Sequence, residues 1–181
     1  DATVLDTVVK VAGVKAADGA ITVFGVTPIK ANGEPLKRMG PPLFGINYGT
    51  AAELNPLIQV DGRPPVGDQE FNLDITAAKD DGFVVGQSYT ISTPTGNHVM
   101  TLVGTVAFNS LKNDTIGAVL TVFDTPTVQK FAGLDGKFSE IAVKVAAGES
   151  IDTVQERIAK VIPSGTEVVG REVKIQESKD A

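Results

Sequence analysis

The chain has 181 residues, 42% hydrophobic and 21% charged, with 16 Lys+Arg against 22 Asp+Glu and a net charge of −6. That suits one globular domain, or two small lobes sharing a core, and it lacks the cation excess that phosphate backbones and anionic lipid heads attract. No Cys and a single His exclude disulfides, thiol nucleophiles, Cys-based zinc or iron–sulfur sites and multi-His metal sites.

Val4 to Ala12 reads as a short helix. Leu5, Val8, Val9 and Ala12 recur at helical spacing, Thr3 is a candidate cap, and Gly13 is a candidate stop. Gly19 to Val26 reads as a strand leading to a turn at Ala31-Asn32-Gly33-Glu34, because Asn-Gly tolerates positive φ. Pro35 to Gly49 holds Gly40-Pro41-Pro42, Gly45 and Gly49, and so many breakers predict a loop without regular structure. Thr50 caps a helical turn that Pro56 ends, and Leu57 to Val60 is too short to assign. A second breaker cluster runs from Asp61 to Gly67.

Glu70 to Asp74 alternates with period two and reads as a strand, followed by a helix from Ile75 to Asp81 closed by Gly82. Ser88 to Ser92, a turn at Thr93–Asn97 and a long strand from His98 to Phe108 predict an antiparallel hairpin. On its second strand Val99, Thr101, Val103 and Thr105 share one face, and His98, Met100 and Leu102 share the other. Ala118 to Phe123 is a buried-type strand. Asp124 and Thr125 cap a helix with Pro126 in its first turn and Gly133 as its stop. Phe138 to Val145 alternates. Ser150 caps a helix with the stripe Ile151, Val154, Ile158, Val161 and Ile162, which Pro163 and Gly165 end. Val168 to Ile175 reads as a closing strand. Mixed order with a strong central hairpin predicts an α+β fold.

Motifs for chemistry are sparse. There is no Gly-x-Ser-x-Gly elbow, no phosphate loop and no dinucleotide fingerprint. His98 reads as a turn-proximal polar residue. Asp80-Asp81 reads as a helix end, because adjacent side chains do not converge on one helix face. Lys112-Asn113-Asp114 is a fragment of a calcium loop, and Asn113-Asp114-Thr115 fits a glycosylation sequon. No catalytic, cofactor or metal residues are assigned, and no cofactor is expected. The candidate partner-contact residues lie in the Gly/Pro loop: Leu43, Phe44, Ile46 and Tyr48, with the basic pair Lys37 and Arg38. Apolar side chains there either tuck under the fold as satellite core or form a docking patch, and the basic pair serves either solubility or an acidic partner.

The ordered series of elements carries a resemblance. Gly62-Arg63-Pro64-Pro65, an acidic residue opening the strand Glu70-Phe71-Asn72-Leu73-Asp74, the helix after it, Val85-Gly86-Gln87, and Leu102-Val103-Gly104-Thr105-Val106 resemble the extracytoplasmic domain of MacB-like (FtsX-like) ABC transporter permeases. Val119 to Phe131 and Phe138 to Ile162 are similar to the family's next strand–helix pairs, and the Pro-rich stretch Gly40–Gly49 to its actinobacterial members. The resemblance implies a mixed α/β membrane-proximal lobe (1–86 and 166–181) with an inserted β-rich lobe (87–165). It implies a non-catalytic domain on the outer face of a polytopic permease, which dimerises, pairs with a cytoplasmic ABC ATPase, transmits ATP-driven motion and meets a protein or lipid-linked partner. No nucleic acid is expected. The absent initiator Met and signal peptide fit a fragment flanked by membrane helices, whose two ends finish on one side of the molecule. A free secreted or cell-wall-associated binding module and a hydrolase of unknown type are the alternatives.

Overall fold

The computed structural model describes residues 1–37, 42–115 and 117–170. Helices and mixed sheets combine in an α+β architecture around two sheets. Fourteen elements follow in chain order: α1 (Ala2–Val8), β1 (Val14–Ala20), β2 (Thr22–Phe24), β3 (Thr27–Pro28), β4 (Leu43–Asn47), β5 (Leu57–Gly62), β6 (Glu70–Asp74), α2 (Ile75–Asp81), β7 (Ser88–Thr93), β8 (Gly96–Phe108), β9 (Val119–Phe123), α3 (Thr125–Ala132), β10 (Glu140–Val145) and α4 (Ile151–Ala159).

The larger sheet has eight strands in the order β2-β4-β9-β6-β8-β7-β3, with β5 also paired to β8. Its pairs are antiparallel except β4 with β9 and β6 with β8. Strand β8 spans the layer: β7 takes its residues 96–101, and β5 takes residues 104–108. One face buries Phe71, Leu73, Met100, Leu102 and Phe123 beneath α2 and α3, whose Ala77, Ala78, Val128 and Phe131 complete that core. The opposite face buries the smaller cluster Leu57, Val106, Leu120 and Val122.

The second sheet has two strands, β1 and β10, antiparallel. Val8 of α1 and Val154 and Ile158 of α4 form a separate core against Val14, Ala17, Ile141, Val143 and Val145. The expected lobe boundary between residues 86 and 87 therefore runs through the larger sheet, since β6 hydrogen-bonds directly to β8 and β9.

Local signals located much of this correctly. Strand β6 and helix α2 have the expected bounds. Asp74 caps α2 by accepting the Ala77 amide at 2.9 Å, and Gly82 closes it in the left-handed region. The β7–β8 hairpin, β9, α3 and α4 also fall where expected.

Three readings are corrected. Residues 43–47 form a strand, not a loop, and it lies inside the sheet between β2 and β9. Gly45 makes this possible: a Cβ there would stand 2.7 Å from a Val26 methyl, so the missing side chain lets the neighbours close over the strand. The expected strand Gly19–Val26 is two strands in different sheets, parting at Ile21. The face assignment of β8 holds only to its middle, because the β6–β8 register shifts between Phe71 and Asn72. Beyond that shift Thr105 is buried, whereas Val99 is 71% exposed. The expected C-terminal strand and the position of that end lie largely outside the described residues. No helix among the described residues is long and apolar enough to cross a membrane.

Candidate functional site

The candidate contact residues of β4 divide between the two faces of the sheet, as alternation requires. Leu43 packs toward the core beneath α3, while Phe44, Ile46 and Tyr48 pack against the opposite cluster of Leu57, Val106, Leu120 and Val122. All four are half-buried, so they belong to the packed layer. The strip reaches solvent at its edge. Phe24 of the edge strand β2 is 68% exposed and meets Phe44 edge-to-face at a centroid distance of 5.1 Å. Alternation around Phe24 gave no sign of that exposure. Lys37 is exposed just before this region, and Arg38 lies outside the described residues.

The polar residues that bring the two sheets together were not legible in the sequence, because they come from positions far apart. Among the described residues the chain passes between sheets at two adjacent points, and there Ala20 O accepts the Ser139 amide at 3.0 Å. Asn47, at the end of β4, brackets the first passage. Its Oδ1 accepts the Ile21 amide at 2.9 Å, and its Nδ2 donates to Gly19 O at 2.8 Å. Phe138 covers Gly19 so closely that a Cβ there would lie 2.2 Å from the ring.

Away from the passage, the loop 49–56 of the larger sheet faces β1 and β10. Asp18 accepts the Ala51 amide at 2.8 Å and the Thr50 hydroxyl at 3.1 Å. Glu53 sits between Lys15 of β1 at 3.0 Å and Lys144 of β10 at 3.3 Å. Lys15 first and Lys144 second hold the Glu53 carboxyl below the ordinary carboxylate range. Between loop and strands lies a cleft of about 190 Å³, lined by Ala20, Ile21, Ile46, Leu54, Pro56 and Leu57 among others.

The residues considered for chemistry have structural places. His98 lies against the Phe131 ring at 4.7 Å, with Nε2 3.2 Å from Thr95 Oγ1. Asp81 meets Lys30 at 3.8 Å. Asn113 accepts the Phe108 amide and donates to Asp74 and Thr76, so its sequon amide is occupied within the fold. Among the described residues no three His, Cys, Asp or Glu side chains gather as a metal site.

The motif Gly62-Arg63-Pro64-Pro65…Glu70 has a clear physical basis. Arg63 pairs with Glu70 through both guanidinium ends, at 2.6 and 2.5 Å, and Glu70 also accepts the Val66 amide at 2.9 Å. The pair closes the loop between β5 and β6. Glycine is required beside it: a Cβ on Gly62 would lie 2.1 Å from Val103 O, and one on Gly104 would lie 2.7 Å from both Asp61 O and Arg63 O.

No protein-family model matches the sequence, and no curated protein matches it. Solved structures do match in fold. The periplasmic region of MacB from Actinobacillus actinomycetemcomitans aligns with a TM-score of 0.65 at 15% identity, over 98% of this chain and 81% of that one. The extracellular domain of the noncanonical ABC-type transporter YknZ from Gram-positive bacteria aligns with a TM-score of 0.60 at 16% identity, over 88% and 80%. A domain of a putative permease protein from Porphyromonas gingivalis aligns with a TM-score of 0.58 at 13% identity, over 83% and 70%. These sources give no support to the actinobacterial origin suggested by the Pro-rich stretch. The chain has the fold of the extracytoplasmic domains of MacB-like ABC transporter permeases.

Proposed function

We propose that this chain is the non-catalytic extracytoplasmic domain of an ABC transporter permease. The observation that carries the reading is the MacB periplasmic fold over 98% of the chain. On this reading the parent permease lies in the cell membrane, dimerises, pairs with a cytoplasmic ATPase, and passes ATP-driven motion to this domain. The domain in turn contacts a protein or lipid-linked partner outside the membrane. Two lobes belong to the same proposal, and we draw them at the separate cores rather than at residues 86 and 165. A small lobe holds α1, β1, β10 and α4, and a large lobe holds the eight-stranded sheet with α2 and α3. Partner contact falls on the strip Phe24, Phe44, Ile46 and Tyr48, with the basic pair Lys37 and Arg38, which precedes β4 in the sequence, and Leu43 supporting the strip from the other face.

The test uses an antibody against the chain on membranes of its source cells. The reading expects a protein much larger than 18.8 kDa that stays in the pellet after alkaline carbonate and co-purifies with an ATP-binding subunit. A soluble extracellular protein of about this size would replace the permease with a secreted binding module.

A further inference from the structure

We propose that Glu53, held between Lys15 and Lys144, is a releasable electrostatic latch that fixes the angle between the two lobes. Four observations support it. First, among the described residues the apolar clusters of the two lobes have no member in common, so no hydrophobic core shared by those residues locks them together. Second, the covalent passages lie side by side, where Ala20 O accepts the Ser139 amide, and Asn47 and Phe138 tighten that one place. A pair of adjacent crossings is a pivot.

Third, the ties on the far side of the cleft are polar. Lys144 stands opposite Ala16 in the β1–β10 ladder, and Ala20 lies four residues further along. At about 3.3 Å per residue the latch acts about 13 Å from the pivot. Rotation of the small lobe therefore separates Glu53 from both lysines while the Asn47 bracket stays nearly in place. Asp18 is one residue from the bracket, and its hold on Ala51 and Thr50 defines the closed position. Fourth, α1 and α4 pack on the face of β1 and β10 that carries Ala17, Ile141 and Val143, and the loop 49–56 meets the face that carries Asp18, Ala142 and Lys144. Release therefore opens the cleft of about 190 Å³ without exposing the small lobe's core.

The side chains of Lys15, Glu53 and Lys144 are 49%, 42% and 46% exposed. Pairs this exposed are weak and are screened by salt, which suits a contact that must break and reform. The latch rests on the cores and the ties alone and stands whether or not the chain belongs to a transporter.

Because the chain has no Cys, two introduced cysteines carry both spin labels. Val99→Cys sits on an exposed position of β8, and Glu156→Cys sits on the exposed side of α4. Pulsed dipolar spectroscopy then reads the distance between lobes. The expected result is one narrow distribution in 20 mM salt. Either Glu53→Gln or 1 M NaCl should raise the displaced population roughly two- to fivefold, the range for exposed ion pairs. The triple exchange Lys15→Glu, Glu53→Lys, Lys144→Glu should restore the narrow distribution. Distributions that ignore both Glu53→Gln and salt would overturn the latch. So would a Glu53→Gln change that charge exchange does not reverse, because the effect would then be steric.

Discussion

The two sheets are held in different ways. The larger one is organised around side chains with no solvent contact, such as Phe71, Leu73, Leu102 and Phe123, and its strands are interlocked by glycines that admit no Cβ. The smaller one has a core of Val8, Val154 and Ile158 and meets the larger through the Asn47 bracket, the Phe138 ring over Gly19, two carboxylates and two lysines. Apolar packing falls off steeply with separation and tolerates little rearrangement. Exposed ion pairs exchange readily for water and cost little to break. Each unit is thus firm within itself, and the proposed latch makes the angle between them adjustable.

Core truncation probes this contrast most strongly. Phe71→Ala is expected to cost about 3–5 kcal/mol and to lower the whole thermal transition. Val154→Ala removes about two methylene equivalents, for about 2 kcal/mol, and its effect should stay local. Amide exchange checks both: Val154→Ala should speed exchange in α4 and β10 and leave β6, β8 and β9 protected. Uniform acceleration after Val154→Ala would mean that the units unfold together, and the contrast would fail.

The pivot comes next. Asn47→Ala strips partners from two buried backbone groups, Ile21 N–H and Gly19 C=O, and should cost about 2–3 kcal/mol in all. The Ile21 amide should lose protection far more than its neighbour in the ladder, Val23. Equal loss at both would assign the effect to β4 as a whole. Within the larger sheet, Gly104→Ala drives a methyl toward Asp61 O and Arg63 O and should cost about 1–3 kcal/mol by overpacking. An unchanged melting temperature would show that β5 can move aside, and the larger sheet would be less rigid than its packing implies.

What could be read from the sequence follows the range of each interaction. Strand β6, helix α2, the β7–β8 hairpin and helix α3 are specified by neighbours within a few residues: alternation from Glu70 to Asp74, the Asp74 and Asp124 caps, and the turn before Asn97. Strand β4 was hidden because its stability comes from β2 and β9 on either side, and Gly45 is there for Val26 rather than for a turn. Strand β1 was missed because Val14-Lys15-Ala16-Ala17-Asp18 has no alternation, and its partner β10 lies more than a hundred residues later. The contact strip suffered the same limit. Phe44, Ile46 and Tyr48 stand out in the sequence as apolar residues in a breaker-rich stretch, but only the register of β2 with β4 brings Phe24 beside Phe44. Asp18, Asn47, Glu53 and Lys144 carry no common motif, so nothing local could have joined them.

Acid and salt offer the finest distinction between the two kinds of contact. Glu70 lies within the larger sheet, and Arg63 first, then the Val66 amide, hold its carboxyl below the ordinary range. A carboxylate lowered in the fold contributes stability that is fully present above its unfolded pKa and is lost as pH falls through the folded one. The loop 63–70 should therefore stay closed at neutral pH and open only in acid, below the usual carboxylate range near 4. The Val66 amide resonance should follow that titration, and Glu70→Gln should abolish it. Salt separates Glu70 from Glu53. The Arg63 pair is two-pronged and is backed by a backbone donor, whereas Glu53 meets two single-point ammonium groups on flexible stems. In 1 M NaCl at pH 7 the Val66 resonance should hold its position while resonances of Lys15 and Lys144 shift. Equal sensitivity at both sites would place the Arg63–Glu70 clasp with the adjustable contacts, and the difference between the two units would then rest on their apolar cores alone.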